Sequence, residues 1–412
     1  MYRTLLKNTT ELKNLSHNPL YKNSLFIALG RISDVGFGFL FWILAARLYS
    51  VVDVGIATAL ISSIGLVRAF SRFGLDTVII RFMPSYDNSR VFNTCLWITT
   101  IGSVVVSICF LLVVDLVSPD VAFIKDHAFL FILIALMNSV TLTTGNALLS
   151  SRKADLRLVQ NLIMGSRLPL LLPLVILGSL GIFFSFGIAN GLAAIFALIL
   201  IHKSIKISPE IDRGFIKKTI HFSIQNYFAN LLTDIPILIM PILILYLLGP
   251  EDAALYYIAF AIGNLVLIIP DAMTTSFFVE GSRGLNLRKG AFKTLTVTYV
   301  LLLPAVLVVY LFGDILLCFF GQEYRAAFDL LKIVTISSFF VTIYNLFIPL
   351  QNIRLHVRGI VILNAIRFGL LIGLNFIFLI KFGVLGSGYA WLSTYMIIST
   401  GIALFAKRES WI

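Results

Sequence analysis

Charge is scarce in this sequence. Only 13% of its 412 residues are Asp, Glu, Lys or Arg, about half the share of a soluble globular domain. No polar stretch is long enough to build a soluble domain. Cysteine is nearly absent: Cys95, Cys109 and Cys318 all fall inside apolar runs, where cysteine behaves as a small hydrophobe. No pair of them has metal-ligand or redox spacing. The five histidines, His17, His127, His202, His221 and His356, are scattered near loops, so no metal centre is expected. The start of the chain lacks the apolar core and small-residue cleavage site of a signal peptide. There, Leu5, Leu6, Leu12 and Leu15 fit either a weakly amphipathic surface helix or an unstructured segment.

What is present is grease. The chain is 59% hydrophobic with a mean hydropathy of +0.97. Its apolar runs recur at about 20 residues, the length a helix needs to cross a bilayer. They are continuous rather than alternating, which favours helices over a barrel. The reading is an all-α polytopic membrane protein of about twelve transmembrane helices. The expected spans are 24–48, 54–73, 92–116, 129–149, 159–180 and 184–201, then 220–248, 254–279, 295–320, 327–350, 360–380 and 384–405.

The basic residues set an orientation. One set of loops holds nearly all of them, including Arg3, Lys7, Arg152, Lys153, Arg157, Lys203, Arg213, Lys217, Lys218, Arg283, Arg288, Arg354 and Arg358. The opposite loops hold Lys125, Arg325 and Lys381. Both termini are therefore expected in the cytoplasm, and the net charge of +12 mostly reflects this bias. A span separates each cluster from the next, so no nucleic-acid surface is expected.

A basic linker with Ser208-Pro209-Glu210 divides six spans from six. The organisation expected is a cytoplasmic segment 1–19, an N-lobe 20–202, a linker 203–218, a C-lobe 219–406 and a cytoplasmic tail 407–412. Sliding one half along the other sets "ISDV", 32–35, against "LTDI", 232–235, and Leu48 against Leu248. In this register Asp34 and Asp234 correspond. Transporters built from two such halves place their substrate between them near the midplane.

Three segments carry a family resemblance. "AARLYSVVDVGIATALISSIGLVRAFSRFGLDTVIIRFMP", 45–84, has a short turn after the first span, Gly55 just beyond it, and "FGLDTVIIRF" closing the second. "LLCFFGQEYRAAFDLLKI", 316–333, has Gly321, Glu323 and Tyr324, and "KFGVLGSGYAW", 381–391, has Gly383, Gly386 and Gly388. In order and spacing these resemble the polysaccharide-biosynthesis flippases of the multidrug/oligosaccharidyl-lipid/polysaccharide (MOP) exporter superfamily. The resemblance implies two six-helix lobes in a V-shaped, alternating-access transporter. It also implies a polyprenyl-diphosphate-linked saccharide as cargo, moved from the cytoplasmic to the outer leaflet of a prokaryotic cell membrane. Membrane lipids surround it, and glycosyltransferases or a polymerase of the same pathway are the expected partners.

The intramembrane charges agree with a phosphorylated cargo. Arg31 and Asp34 lie inside the first span, Arg31 about 12 Å from its start at 1.5 Å per residue. Arg31, Asp34, Gly38, Phe41 and Ala45 share one face. Charge facing lipid costs several kcal/mol, so that face turns to a cavity or the bundle interior. Arg31 and Asp34 either bind cargo or pair with each other to hold helices together. Arg68 and Arg72 follow in the second span at i,i+4 spacing. With Arg31 they would form a cationic pocket for a diphosphate, which arginine grips bidentately; Arg72 alone is also explained by snorkelling. Arg167 and Arg367 are second-rank candidates, and Arg167, just before Pro169 and Pro173, also marks an irregular helix. Asp234 precedes Pro236 and Pro241, and Asp271 follows Pro270. Proline frees carbonyls, so each carboxylate either holds Na⁺ or a proton or neutralises an arginine. No resident cofactor is expected. Glu280 reads as interfacial, and Trp411 beside Lys407 and Arg408 as an anchor.

Two rival functions share parts of this pattern. A small-molecule exporter driven by Na⁺ or H⁺ has the same fold, but a site for cationic drugs favours carboxylates and aromatics over arginines. A membrane glycosyltransferase or polymerase needs an extramembrane catalytic segment, yet the outer loops are short and no nucleophile–base set appears. The chain is therefore read as a transporter and not an enzyme.

Overall fold

The computed structural model describes residues 19–117, 119–282, 286–354 and 357–408. The expectations for Leu5–Leu15, His17, Arg283, His356 and Trp411 lie outside these. The described residues are helical with no strand. Eleven helices among them are long and apolar enough to cross a membrane, so this is a multi-pass membrane protein. The first is Pro19–Leu48 (α1) and the second Val51–Ser71 (α2), followed by the short α3, Leu75–Phe82. Asn88–Val117 (α4) and Ala128–Ser150 (α5) come next.

The fifth expected span, 159–180, is not one helix. It begins as Ala154–Met164 (α6), breaks, resumes as Arg167–Leu170 (α7), and passes through a 3-10 turn at Val175–Leu177. Pro169 and Pro173 explain the break: neither has an N–H to donate, and their rings collide with the preceding turn. Gly178 then takes a φ of +54°, a left-handed setting, before Ser179–His202 (α8) starts. The remaining helices are Arg213–Leu248 (α9), Pro250–Ser282 (α10), Leu287–Cys318 (α11), Phe328–Ile353 (α12), Val357–Phe382 (α13) and Leu385–Arg408 (α14).

The chain divides into two compact units. One comprises residues 1–48, 64–114 and 122–231; the other comprises 49–63, 115–121 and 232–412. The division cuts α2 after Ser63 and α9 after Leu231. In the first unit α3 packs on α5, and Leu75, Val78, Ile79, Phe92, Cys95 and Leu148 make a continuous apolar core. The linker before α9 is tied to this unit: Asn93 donates to the Lys206 carbonyl at 2.9 Å, and the Trp97 indole to the Ser208 carbonyl at 2.8 Å. In the second unit α12 packs between α10 and α14. Gly55, in its 49–63 segment, lies where a Cβ would stand 1.8 Å from the Pro250 carbonyl oxygen, so only glycine fits.

The element boundaries carry the proposed repeat. Leu48 and Leu248 each end a helix, and short 3-10 segments end at His127 and Ala327. The next helices begin at Ala128 and Phe328. Each pair is two hundred residues apart, the offset that aligns Asp34 with Asp234.

Candidate functional site

The first unit gathers three arginines on its polar interior. Arg68 and Arg72, one turn apart on and just past α2, line a small cleft with Ser71, Asp76, Thr99, Ser139 and Thr143. Besides the two arginines, its lining is these five oxygen-bearing side chains and Leu142, and the guanidiniums supply the N–H groups from which an anion's oxygens would accept. Arg72 does not reach outward. Its Nη1 turns to Asp76 Oδ2 at 3.5 Å, with only 13% of the side chain exposed. The hydroxyls are linked: Ser139 donates to Ser103 at 3.2 Å, and Thr99 and Thr143 share a bond of 3.3 Å.

Arg157, at the start of the broken span, is the third. Its Nη1 donates to Gln160 Oε1 at 2.7 Å. Gln160 is fully buried and uses its amide to donate to the Thr141 carbonyl at 3.2 Å and to Thr144 Oγ1 at 3.0 Å. The arginine lies within electrostatic range of both Asp34 and Arg68. It passes over Gly145 so closely that a Cβ there would sit 2.0 Å from Nη1. The sequence grouped Arg157 with the loop cations because the interrupted helix hid its surroundings; Asp76, four residues after Arg72, was readable as a pair.

Arg31 and Asp34 are both exposed on α1, and no ion pair joins them among the described residues. The alternative in which the two pair with each other is therefore not formed; Asp34 lies instead within electrostatic range of Arg157. Arg31 does not line the Arg68–Arg72 cleft. Arg167 lies on the α7 turn against Gly38, with its guanidinium carbon 5.2 Å from the centre of the Phe41 ring.

The second unit has one buried arginine of a different kind. Arg367 is 5% exposed and donates to the Leu232 carbonyl at 3.3 Å, the Thr233 carbonyl at 3.2 Å and the Tyr395 hydroxyl at 3.3 Å. Its guanidinium also lies 5.2 Å from the Tyr344 ring centre. Asp234 is half-buried and within its electrostatic range. Asp271 stands apart, exposed on the wall of a separate cleft, and Glu280 is exposed near the end of α10. Among the described residues no three His, Cys, Asp or Glu side chains gather as a metal site requires.

The Arg68–Arg72 cleft and the buried Arg367 thus place charge inside a helical membrane protein, where charge faces a cavity or the bundle interior rather than lipid. The chain is similar to an inward-facing multidrug resistance MATE family transporter of the MOP superfamily, with 14% identity, a TM-score of 0.74, and coverage of 91% of this chain and 94% of that one. It is similar to the lipid II flippase MurJ in an inward closed conformation, with 12% identity, a TM-score of 0.77, and coverage of 93% and 87%. A MOP superfamily transporter from Pyrococcus furiosus, described as having a binding pocket of reversed polarity, matches with 13% identity, a TM-score of 0.63, and coverage of 96% of each chain. The family model for polysaccharide biosynthesis proteins matches residues 20–278, and the chain belongs to that family. No curated protein sequence matches it.

Proposed function

We propose that this protein is a flippase for a polyprenyl-diphosphate-linked saccharide, moving it from the cytoplasmic to the outer leaflet of a prokaryotic cell membrane by alternating access, with both termini in the cytoplasm. Family membership and the transporter fold support the class. The observation that carries the cargo is the set of Arg68, Arg72 and Arg157 in one membrane-embedded unit, with Asp34 and Asp76 beside them. That leaves a local excess of positive charge, which a diphosphate neutralises. At 3.5 Å the Arg72–Asp76 pair is long for a charged hydrogen bond, normally about 2.7–2.9 Å. The hydroxyls of Ser71, Thr99, Ser139 and Thr143 line the cleft without adding charge, their protons spent on the Arg68, Cys95 and Ser139 carbonyls and on Ser103.

The basic loop residues orient the open end of this site to the side where lipid-linked saccharides are made. Glycosyltransferases of the same pathway deliver the cargo and a polymerase or ligase consumes it. Asp234 is assigned to coupling with Na⁺ or H⁺, because its charge faces Arg367 and a change in its protonation or ion occupancy alters that balance.

The test is reconstitution. In proteoliposomes the wild-type protein is expected to flip a synthetic polyprenyl-diphosphate N-acetylhexosamine and not the corresponding neutral polyprenyl glycoside. Equal flipping of both would remove the diphosphate role. Transport of cationic dyes in place of either lipid would establish the exporter reading instead.

A further inference from the structure

The second unit contains a cleft of about 260 Å³ lined by Asp271, Thr274, Thr275 and Phe278 of α10 and by Asn345, Pro349 and Asn352 of α12, among others. It is several times the ~30 Å³ share of one water and close to the ~300 Å³ at which small-molecule pockets begin. All of these residues lie in helices long and apolar enough to span a membrane, where exposed polar groups face an aqueous cavity rather than lipid.

The donors and acceptors in the cleft are unspent. Among the described residues the side chains of Asp271, Asn345 and Asn352 make no hydrogen bond or ion pair. Thr274 and Thr275 donate back to their own helix, at 2.7 Å to the Pro270 carbonyl and 2.8 Å to the Asp271 carbonyl. Their lone pairs are left to accept from a ligand. Pro349 has no N–H, so the carbonyl of Asn345 four residues earlier lacks its helical partner. Phe278, 40% exposed, adds an apolar surface beside them.

This inventory mixes amide donors, amide and carboxylate acceptors, hydroxyl acceptors and an aromatic face. A metal cation would use only the oxygens of Asp271, Asn345 and Asn352, leaving two amide NH₂ groups and the aromatic face without a partner. Sugar hydroxyls each donate and accept, and the C–H face of a pyranose packs on an aromatic ring. We infer that this cleft is a saccharide-binding subsite, with Asn345 and Asn352 bridging neighbouring hydroxyls and Asp271 accepting from a third. The carboxylate further selects neutral or amino sugars over uronic acids. The inference rests on the proposed flippase reading for its cargo, but the site is tested without the lipid.

The experiment uses the full chain in nanodiscs, titrated with methyl glycosides of a hexose, an N-acetylhexosamine, an amino sugar, a deoxyhexose and a hexuronic acid, read by saturation-transfer NMR. At least one neutral or amino sugar is expected to bind. Asn345→Ala, Asn352→Ala and the milder Asp271→Asn are each expected to weaken it at least fivefold, in protein that stays monodisperse with an unchanged melting temperature. Should a variant unfold, Thr275→Val provides the same reading with less disturbance. Failure of every sugar to bind, a preference for the hexuronic acid, or binding unchanged in all variants would overturn the inference. A second arm compares polyprenyl diphosphate with and without an N-acetylhexosamine. If neither lipid binds while the free sugar does, the flippase reading fails and the cleft stands. If both bind equally and the variants leave them equal, the cleft fails and the flippase reading stands.

Discussion

Arg157 crosses the α5 helix at Gly145, where a single added methyl group would stand 2.0 Å from its Nη1. The guanidinium can hold Gln160 and stay in range of Asp34 and Arg68 only because that methyl is missing. Gly145→Ala must therefore push Arg157 away. Helix propensity alone favours alanine by about 1 kcal/mol, so the substitution is expected to be near neutral or mildly destabilising, while flipping falls at least tenfold. Thermal unfolding and proteoliposome transport, measured on the same preparation, check both halves. Normal transport by Gly145→Ala would detach Arg157 from the function.

Arg72 and Asp76 make a second test. Arg72→Lys keeps the charge but loses the planar fork. Stability should hold and transport fall. Arg72→Ala should cost more, about 2 kcal/mol or above of cargo binding for a lost charge-assisted contact. Arg68→Lys and Arg68→Ala are expected to behave alike. If the Lys variants transport at the wild-type rate, only charge is being used.

For Arg31 and Asp34 the expected result follows from the missing ion pair. Arg31→Ala should give normal yield of folded protein, and Asp34→Ala should not rescue any transport defect. A double-mutant cycle of stability should show coupling near zero, within the ~0.3–0.5 kcal/mol scatter of independent sites. A coupling of 1 kcal/mol or more would restore the structural pair.

Arg367 should matter for stability first. It satisfies two carbonyls next to Asp234 and the Tyr395 hydroxyl from a buried position. Arg367→Ala is expected to lower stability by about 3–5 kcal/mol, as for removal of one partner from a buried charged network. Melting temperature and detergent-solubilised yield report it. A stable Arg367→Ala with lost transport would move this residue to the cargo site.

Asp234→Asn keeps shape and removes charge. It is expected to abolish Na⁺ or pH dependence of flipping while cargo binding remains measurable. Asp271→Asn should leave the ion dependence in place. The reverse pattern would exchange the two roles.

Much of this was legible in the chain. Span lengths, the paucity of charge and the loop bias gave an all-helical membrane protein, because a bilayer permits no other way to satisfy the backbone of a long apolar run. Pro169 and Pro173 announced an irregular fifth span, and the break follows from their missing N–H groups. The two-hundred-residue register of "ISDV" and "LTDI" also pairs Leu48 with Leu248, and each of these ends a helix.

What the sequence by itself determined is therefore the long apolar helices and, within one, the number that can cross a membrane; these depend on local composition and on the cost of burying polar groups. Tertiary structure alone decided which charges meet. Arg157 looked like a loop cation until the broken helix carried it to Gly145 and toward Asp34. Nothing in the sequence around Arg367 shows that folding brings the Leu232 and Thr233 carbonyls to it. Asn345 and Asn352 drew no notice until α12 set them beside Asp271. Such pairings join residues tens to hundreds of positions apart, and no spacing rule reaches that far: they are set by how helices pack, and packing is chosen by the whole fold.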